Sequence, residues 1–191
     1  MIKSLLKDLT LEVFLALPES DTIYELVDGE AIPKFKNDEM SPKFSHSSIT
    51  GALFILLSMW AQGKGRVVIE WAIKLTRDRQ DWVPVPDLTY VSYNRLGVDW
   101  FADEACPVIP ELAIEIISPG QTFGEMTEKA TNYLNAKVLR VWVVDAKAKT
   151  ITIFYPDAPP QTKRGEDSLE DSLFEGLQIT PQAIFQQAGI P

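Results

Sequence analysis

Cysteine and histidine are almost missing: the 191 residues hold one of each, Cys106 and His46. A lone cysteine excludes an internal disulfide and a thiolate zinc cluster, and it agrees with a reducing, intracellular compartment. A lone histidine, with no Gly-x-Ser-x-Gly elbow, argues against a serine-hydrolase triad and a histidine-rich metal centre. Long apolar runs are lacking as well. The most apolar stretch, Ile49 to Ala61, falls short of the roughly 20 residues that span a bilayer. The start, Met1-Ile-Lys-Ser-Leu-Leu-Lys-Asp8, has no signal-peptide core. A cytoplasmic protein with no membrane partner is expected. Basic residues are in deficit, 18 against 27 acidic, for a net charge of −9. That counts against simple nucleic-acid affinity, because lysine and arginine drive phosphate binding by displacing counterions. Lys34, Lys36, Lys43, Arg66, Lys74, Arg77 and Arg79 are scattered and form no basic stripe.

A hydrophobic fraction of 46% and a charged fraction of 24% are those of an ordinary globular protein with a sizeable core. The length suits a single domain over 1–191, with its core at about 10–155 and a C-terminal extension at 156–191. Thr10 to Leu17 predicts a short helix, closed by Pro18. Ile23 to Ile32 predicts a hairpin turning at Asp28-Gly29. A loop with Pro33, Asn37 and Pro42 follows. Ile49, Leu53, Leu56 and Trp60 recur at helical spacing, with serines 45, 47 and 48 as N-caps and Gly63 as the C-terminal stop.

Arg66 to Thr76 predicts one strand, Arg77 to Asp81 a charged turn, and Val85 to Ser92 a further strand. Glu111 to Ile117 is almost continuously apolar and reads as a central strand covered on both faces. Thr122 and Glu125 form a capping box that opens a helix to about Ala136. Arg140 to Asp145 and Thr150 to Tyr155 are strands, so residues 111–145 form a βαβ unit with a parallel pair. Leu173 to Gln178 predicts an edge strand and Pro181 to Ala188 a short helix. The fold class is α/β: a mixed sheet with helices on its faces.

Glu115 needs an explanation. It stands between Leu112-Ala-Ile114 and Ile116-Ile117, and a carboxylate in such a strand costs several kcal/mol, of order, unless paired or bound to a cation. A salt bridge, or a wet strand end, would account for it equally well. Asp87 alternates with Val85, Thr89 and Val91 and so shares their face, though an aspartate after proline is also a common turn residue. Carboxylates on neighbouring strands repel unless a cation lies between them, and hard oxygen donors favour Mg²⁺ or Mn²⁺. Lys129, three residues after Met126 and four before Tyr133, lies on the stripe that faces the sheet. Its plain alternative is a surface ion pair with Glu125, four residues earlier. Together, two carboxylates and a lysine can hold a divalent cation, position a water and stabilise charge on a phosphodiester.

These motifs occur in a familiar order: Tyr24-Glu-Leu-Val-Asp-Gly-Glu30, Ser41-Pro42, His46, Pro86-Asp87, Ile114-Glu-Ile-Ile-Ser-Pro119, Glu128-Lys129 with Tyr133, and Val141-Trp-Val-Val-Asp145. Over about residues 10–155 the chain resembles the Uma-type family of restriction-endonuclease-like proteins, in the PD-(D/E)XK nuclease superfamily, formerly a domain of unknown function. The resemblance implies an αβββαβ core preceded by the hairpin, with Asp87 and Glu115 as the first and second acids. The superfamily's usual lysine position is Ile117 here, and Lys129 matches a lysine moved onto the next helix. Glu25 falls in a family motif and would complete a metal or water shell, or else form a hairpin salt bridge. His46 would open a helix, as a substrate contact or a capping or rim residue.

The implied activity is Mg²⁺-dependent (or Mn²⁺-dependent) hydrolysis of DNA phosphodiesters, and the implied assembly a homodimer. Two other readings stand beside it: a non-catalytic nuclease-fold module for binding or assembly, and a phosphohydrolase for RNA or nucleotides.

Overall fold

A computed structural model describes residues 7–18, 20–34 and 43–191. Asn37, Pro42 and the Ser41-Pro42 motif lie outside the described residues, as does Lys36. A six-stranded mixed sheet organises the chain, in the order β10-β9-β8-β7-β6-β3. Its strands are β3 (Gly65–Ile69), β6 (Leu88–Ser92), β7 (Leu112–Ile116), β8 (Arg140–Asp145), β9 (Thr150–Phe154) and β10 (Gln161–Arg164). Only β7 and β8 are parallel; the other neighbours run antiparallel. The crossover between them is α3 (Phe123–Asn135), opened by the Thr122–Glu125 capping box. With α2 (Phe44–Trp60) ahead of β3, the main-sheet order α2-β3-β6-β7-α3-β8 is the expected αβββαβ core.

Strand alternation sorts the side chains into two cores. Leu88, Tyr90, Leu112, Ile114, Ile116, Trp142 and Val144 pack towards α2 and the C-terminal helix α4 (Pro181–Gln187). Val91, Ala113, Val141 and Val143 pack towards Met126, Ala130 and Tyr133 of α3. The segment beyond residue 156 belongs to the first of these cores, through Leu169, Phe174, Leu177 and Ile184. No helix among the described residues is long and apolar enough to cross a membrane.

The N-terminal helix α1 (Leu11–Leu15) and the hairpin of β1 (Tyr24–Val27) and β2 (Glu30–Pro33) form as expected. Asp28 and Gly29 both have positive φ, 52° and 77°, the geometry of a two-residue turn that suits the twist of the strands.

Four boundaries differ from expectation. The predicted strand at Arg66 to Thr76 is two, because the chain turns out of the sheet at Glu70, where φ is 49°. Beyond it β4 (Leu75–Arg77) and β5 (Gln80–Trp82) form a hairpin around Asp78 and Arg79, where a charged turn was expected. Asp87 precedes β6 rather than lying within it, since Pro84 and Pro86 lack the N–H groups a ladder needs. The last edge strand is β10, while Leu173 to Gln178 is irregular and buries Phe174 and Leu177. In addition, the N-cap of α2 is Lys43, which makes no side-chain cap bond, in place of a serine.

The excursion at 70–83 has a consequence for the site. It carries Val83 to the N-terminal hairpin, where Val83 and Leu26 exchange backbone hydrogen bonds of 3.0 and 3.1 Å. The hairpin is thereby fixed over the ends of β6 and β7.

Candidate functional site

Glu115 follows Ala113 on the α3 face of β7 and is buried. Two groups one helical turn apart on α3 reach it. The Tyr133 hydroxyl donates to Glu115 Oε1 at 2.7 Å, and Lys129 Nζ lies 2.9 Å from the same oxygen. Oε2 accepts no hydrogen bond from the described residues. Lys129 also donates to Glu25 Oε1 at 2.9 Å, an oxygen shared with the Val85 amide. The Lys129 ammonium therefore points into the site, while Glu125 closes the helix cap through the Thr122 amide at 2.7 Å.

Asp87 sits where the β6–β7 ladder stops. The last opposed pair is Leu88 with Ile114, and the next inward-facing amide, Ile116 N, donates to Asp87 Oδ2 at 2.7 Å. His46 Nε2, on the first turn of α2, lies 3.2 Å from Oδ2. Lys34 Nζ donates to Oδ1 at 2.7 Å and lies 3.3 Å from Glu70 Oε1. The structure thus brings Asp87, Glu115, Lys129, Glu25 and His46 into one cluster.

Lys34 and Glu70 are members of the cluster that motif reasoning missed, and Tyr133, placed in a motif beside Lys129 but given no role there, is the hydroxyl donor to Glu115. For Lys34 a signal existed. A turn at Asp28-Gly29 sets Glu25 opposite Ile32, and continuing the register sets Ile23 opposite Lys34, whose amide donates to the Ile23 carbonyl at 2.9 Å. Directly opposed residues share a face, so Glu25 and Lys34 both face the site. For Glu70 no local signal exists, because its place follows from the turn out of β3.

The electrostatics follow from burial. Desolvation opposes the charge on Asp87, but the His46 hydrogen bond and the Lys34 ammonium outweigh it and hold the carboxyl well below the usual range. Glu115 shifts the other way: burial raises its pKa, Asp87 and Glu25 raise it further, and Lys129 opposes them. Lys129 loses hydration too, yet Glu115 and Glu25 keep it charged with a raised pKa. Burial and the Glu115 charge push the Tyr133 hydroxyl well up, so it remains a donor.

Glu111, at the other end of β7, is a useful contrast. It is buried as well, but Ser92 and Arg95 satisfy its carboxylate, so it is a plain structural acid.

The donor set fits a hard divalent cation. Four carboxylates (Glu25, Glu70, Asp87, Glu115) face two ammoniums, Lys34 and Lys129, so acids outnumber ammoniums. Among the described residues no three acid, histidine or cysteine side chains converge on one point. Magnesium needs no such cage: one or two carboxylates suffice, with water and phosphate oxygens completing its shell.

An antiparallel sheet with one parallel pair, helices on both faces and an acid–lysine cluster at the strand ends define a nuclease-like α/β fold. A crystal structure described as "a putative nuclease belonging to DUF820 from Anabaena variabilis ATCC 29413" superposes with a TM-score of 0.78 at 22% identity, covering 94% of this chain and 99% of that one. No curated protein matches the chain in sequence. Residues 11–182 match the Uma2 family, described as "Putative restriction endonuclease". The chain belongs to the Uma2 family.

Proposed function

We propose that the protein is a nuclease that hydrolyses DNA phosphodiester bonds with Mg²⁺ or Mn²⁺. The observation that carries this reading is the convergence of Lys129, from α3, on Glu115 at 2.9 Å, beside an Asp87 held charged by its neighbours. Membership of a family described as restriction endonucleases supports it. Asp87 and Glu115 would hold the cation, with Glu115 Oε2 as an open donor and Asp87 Oδ1, which accepts from Lys34 alone, offering a second lone pair. When bound, the cation would supply charge neutralisation at the phosphate and a more acidic water. Lys129 orients the attacking water or stabilises charge developing on the phosphate. Tyr133 and Glu25 hold Glu115 and Lys129 in register, and His46 and Lys34 do so for Asp87.

Incubating the protein with supercoiled and linear DNA plus Mg²⁺ or Mn²⁺ tests the reading. Cleavage that disappears in EDTA and in Asp87→Asn, Glu115→Gln and Lys129→Met is expected. Equal cleavage by wild type and Asp87→Asn would remove the site assignment. Cleavage of RNA or nucleotides but not DNA would select the phosphohydrolase.

A second reading draws on one specific observation: both Asp87 oxygens already accept hydrogen bonds, as in a purely structural ion cluster of a binding or assembly module. Thermal stabilisation by Mn²⁺ in wild type but not in Glu115→Gln separates the two, since only a metal site produces it.

A further inference from the structure

A cavity of about 520 Å³ lies beside the acid–lysine cluster, with His46 in its wall. We propose that this cavity is a nucleotide subsite, holding the base and phosphate of one nucleotide next to the bond that is cut. The inference rests on the nuclease reading above and adds where, and by which groups, the strand is held.

Its position is the first argument. The wall is built from residues 117–121 and 145–147, which follow the C-terminal ends of β7 and β8, the sole parallel pair of the main sheet. The crevice beyond the carboxyl ends of parallel strands is where open α/β sheets bind ligands. Its size lies within the roughly 300–1,000 Å³ of small-molecule sites.

The lining is the second argument. Ser118 is only 5% exposed and lines the cavity, yet its hydroxyl makes no hydrogen bond with the described residues. Its backbone is pinned, since the Ser118 amide donates to Gln121 Oε1 at 2.9 Å. With no partner among the described residues and an oxygen that is not sealed from solvent, the hydroxyl opens onto the cavity and can donate to a ligand oxygen. Lys43 and Lys147, both exposed, flank the same space. The acid there, Asp145, accepts from the Lys147 and Ala148 amides through Oδ1, at 2.9 Å each, and the two lysines outnumber it.

Phe123 supplies the third element. It lines the cavity with 46% of its surface exposed, and aromatic faces are the usual platforms for unpaired bases. A cationic rim, a donor hydroxyl and an open ring match a phosphate, a sugar or phosphate oxygen, and a base. They do not match a purely apolar ligand.

The test measures binding without cleavage. In EDTA, wild-type protein is titrated with a deoxynucleoside 5′-monophosphate and, separately, with inorganic phosphate. The nucleotide is expected to bind more tightly than phosphate. Phe123→Leu, which keeps the apolar packing against Phe154, should weaken the nucleotide at least about fivefold and leave phosphate unchanged. Lys147→Glu should weaken both. Lys137→Glu, an exposed lysine before the start of β8 and so at the opposite end of the sheet, makes the same charge change and should do neither. Melting temperatures within the wild-type range confirm that the variants fold.

No nucleotide binding by wild type overturns the proposal, as does equal affinity for phosphate and nucleotide, or indifference to both Phe123→Leu and Lys147→Glu. Nucleotide binding without DNA cleavage would refute the nuclease reading alone. Cleavage with wild-type KM in the cavity variants would refute the subsite alone.

Discussion

Replacing Lys129 by methionine keeps an apolar stem of similar length and removes the one ammonium that contacts both Glu25 and Glu115. The side chains of Lys129, Glu25 and Glu115 are 19%, 13% and 5% exposed, so the interaction belongs with buried ion pairs. Breaking such a pair costs about 3–5 kcal/mol, chiefly because a carboxylate is left buried without a counter-charge. An exposed pair would cost about 0–1 kcal/mol.

The sign of the pH dependence follows from Glu115, whose pKa is already raised by burial, Asp87 and Glu25 against the pull of Lys129. Without the ammonium it rises further. A carboxyl with a raised folded pKa binds protons in the native state before the unfolded chain does, so stability is lost as pH rises between the two values. The deficit of Lys129→Met is therefore largest above the folded pKa of Glu115 and fades as pH falls towards the unfolded value of about 4.3.

Urea unfolding in EDTA at about pH 7.5 and about pH 5.5 measures both effects. Adding Glu115→Gln to Lys129→Met should restore more than half of the loss at the higher pH, because the uncompensated charge is gone. A loss below about 1 kcal/mol, a deficit independent of pH, or a double variant no more stable than Lys129→Met would refute the reasoning.

Two further predictions test the scaffold. Burial pushes the Cys106 thiol up to about 11, so alkylation at neutral pH in the native protein should run about a hundredfold or more slower than for a free thiol; labelling as fast as in urea would contradict this. Gly65 lies against β6 so closely that an added Cβ would meet the Val91 carbonyl oxygen at 2.5 Å, and Gly65→Ala should cost about 1–3 kcal/mol in urea unfolding. A neutral result would show that β3 can shift away from β6.

Much of the scaffold was legible because its signals are local. The Thr122–Glu125 box and the stripe of Met126, Lys129 and Tyr133 marked α3; the Asp28-Gly29 turn marked the first hairpin. Glu115 was conspicuous for the reason the structure upholds, a carboxylate in a strand buried along its whole length. Asp87 was legible mainly through family resemblance, since its own neighbourhood reads more readily as a turn, and it does precede the strand. For Lys129 the helix taken alone favoured a surface pair with Glu125, and only the two carboxylates turned the reading towards the sheet.

What local pattern could not decide was which distant charges meet. The φ of 49° at Glu70 sends the chain out of the sheet and against β1, and only that detour sets Glu25 beside Lys129 and Lys34 beside Asp87. Ion pairs across 53 and 104 residues depend on the summed path of the backbone, and no window of sequence contains that path. The sequence by itself determined the αβββαβ frame and the buried acid at its centre, because periodicity and capping act within a few residues. The tertiary structure decided that Lys34, Glu70 and Tyr133 join that acid and that a cavity opens beside His46, because desolvation and charge pairing act on whatever the fold makes adjacent.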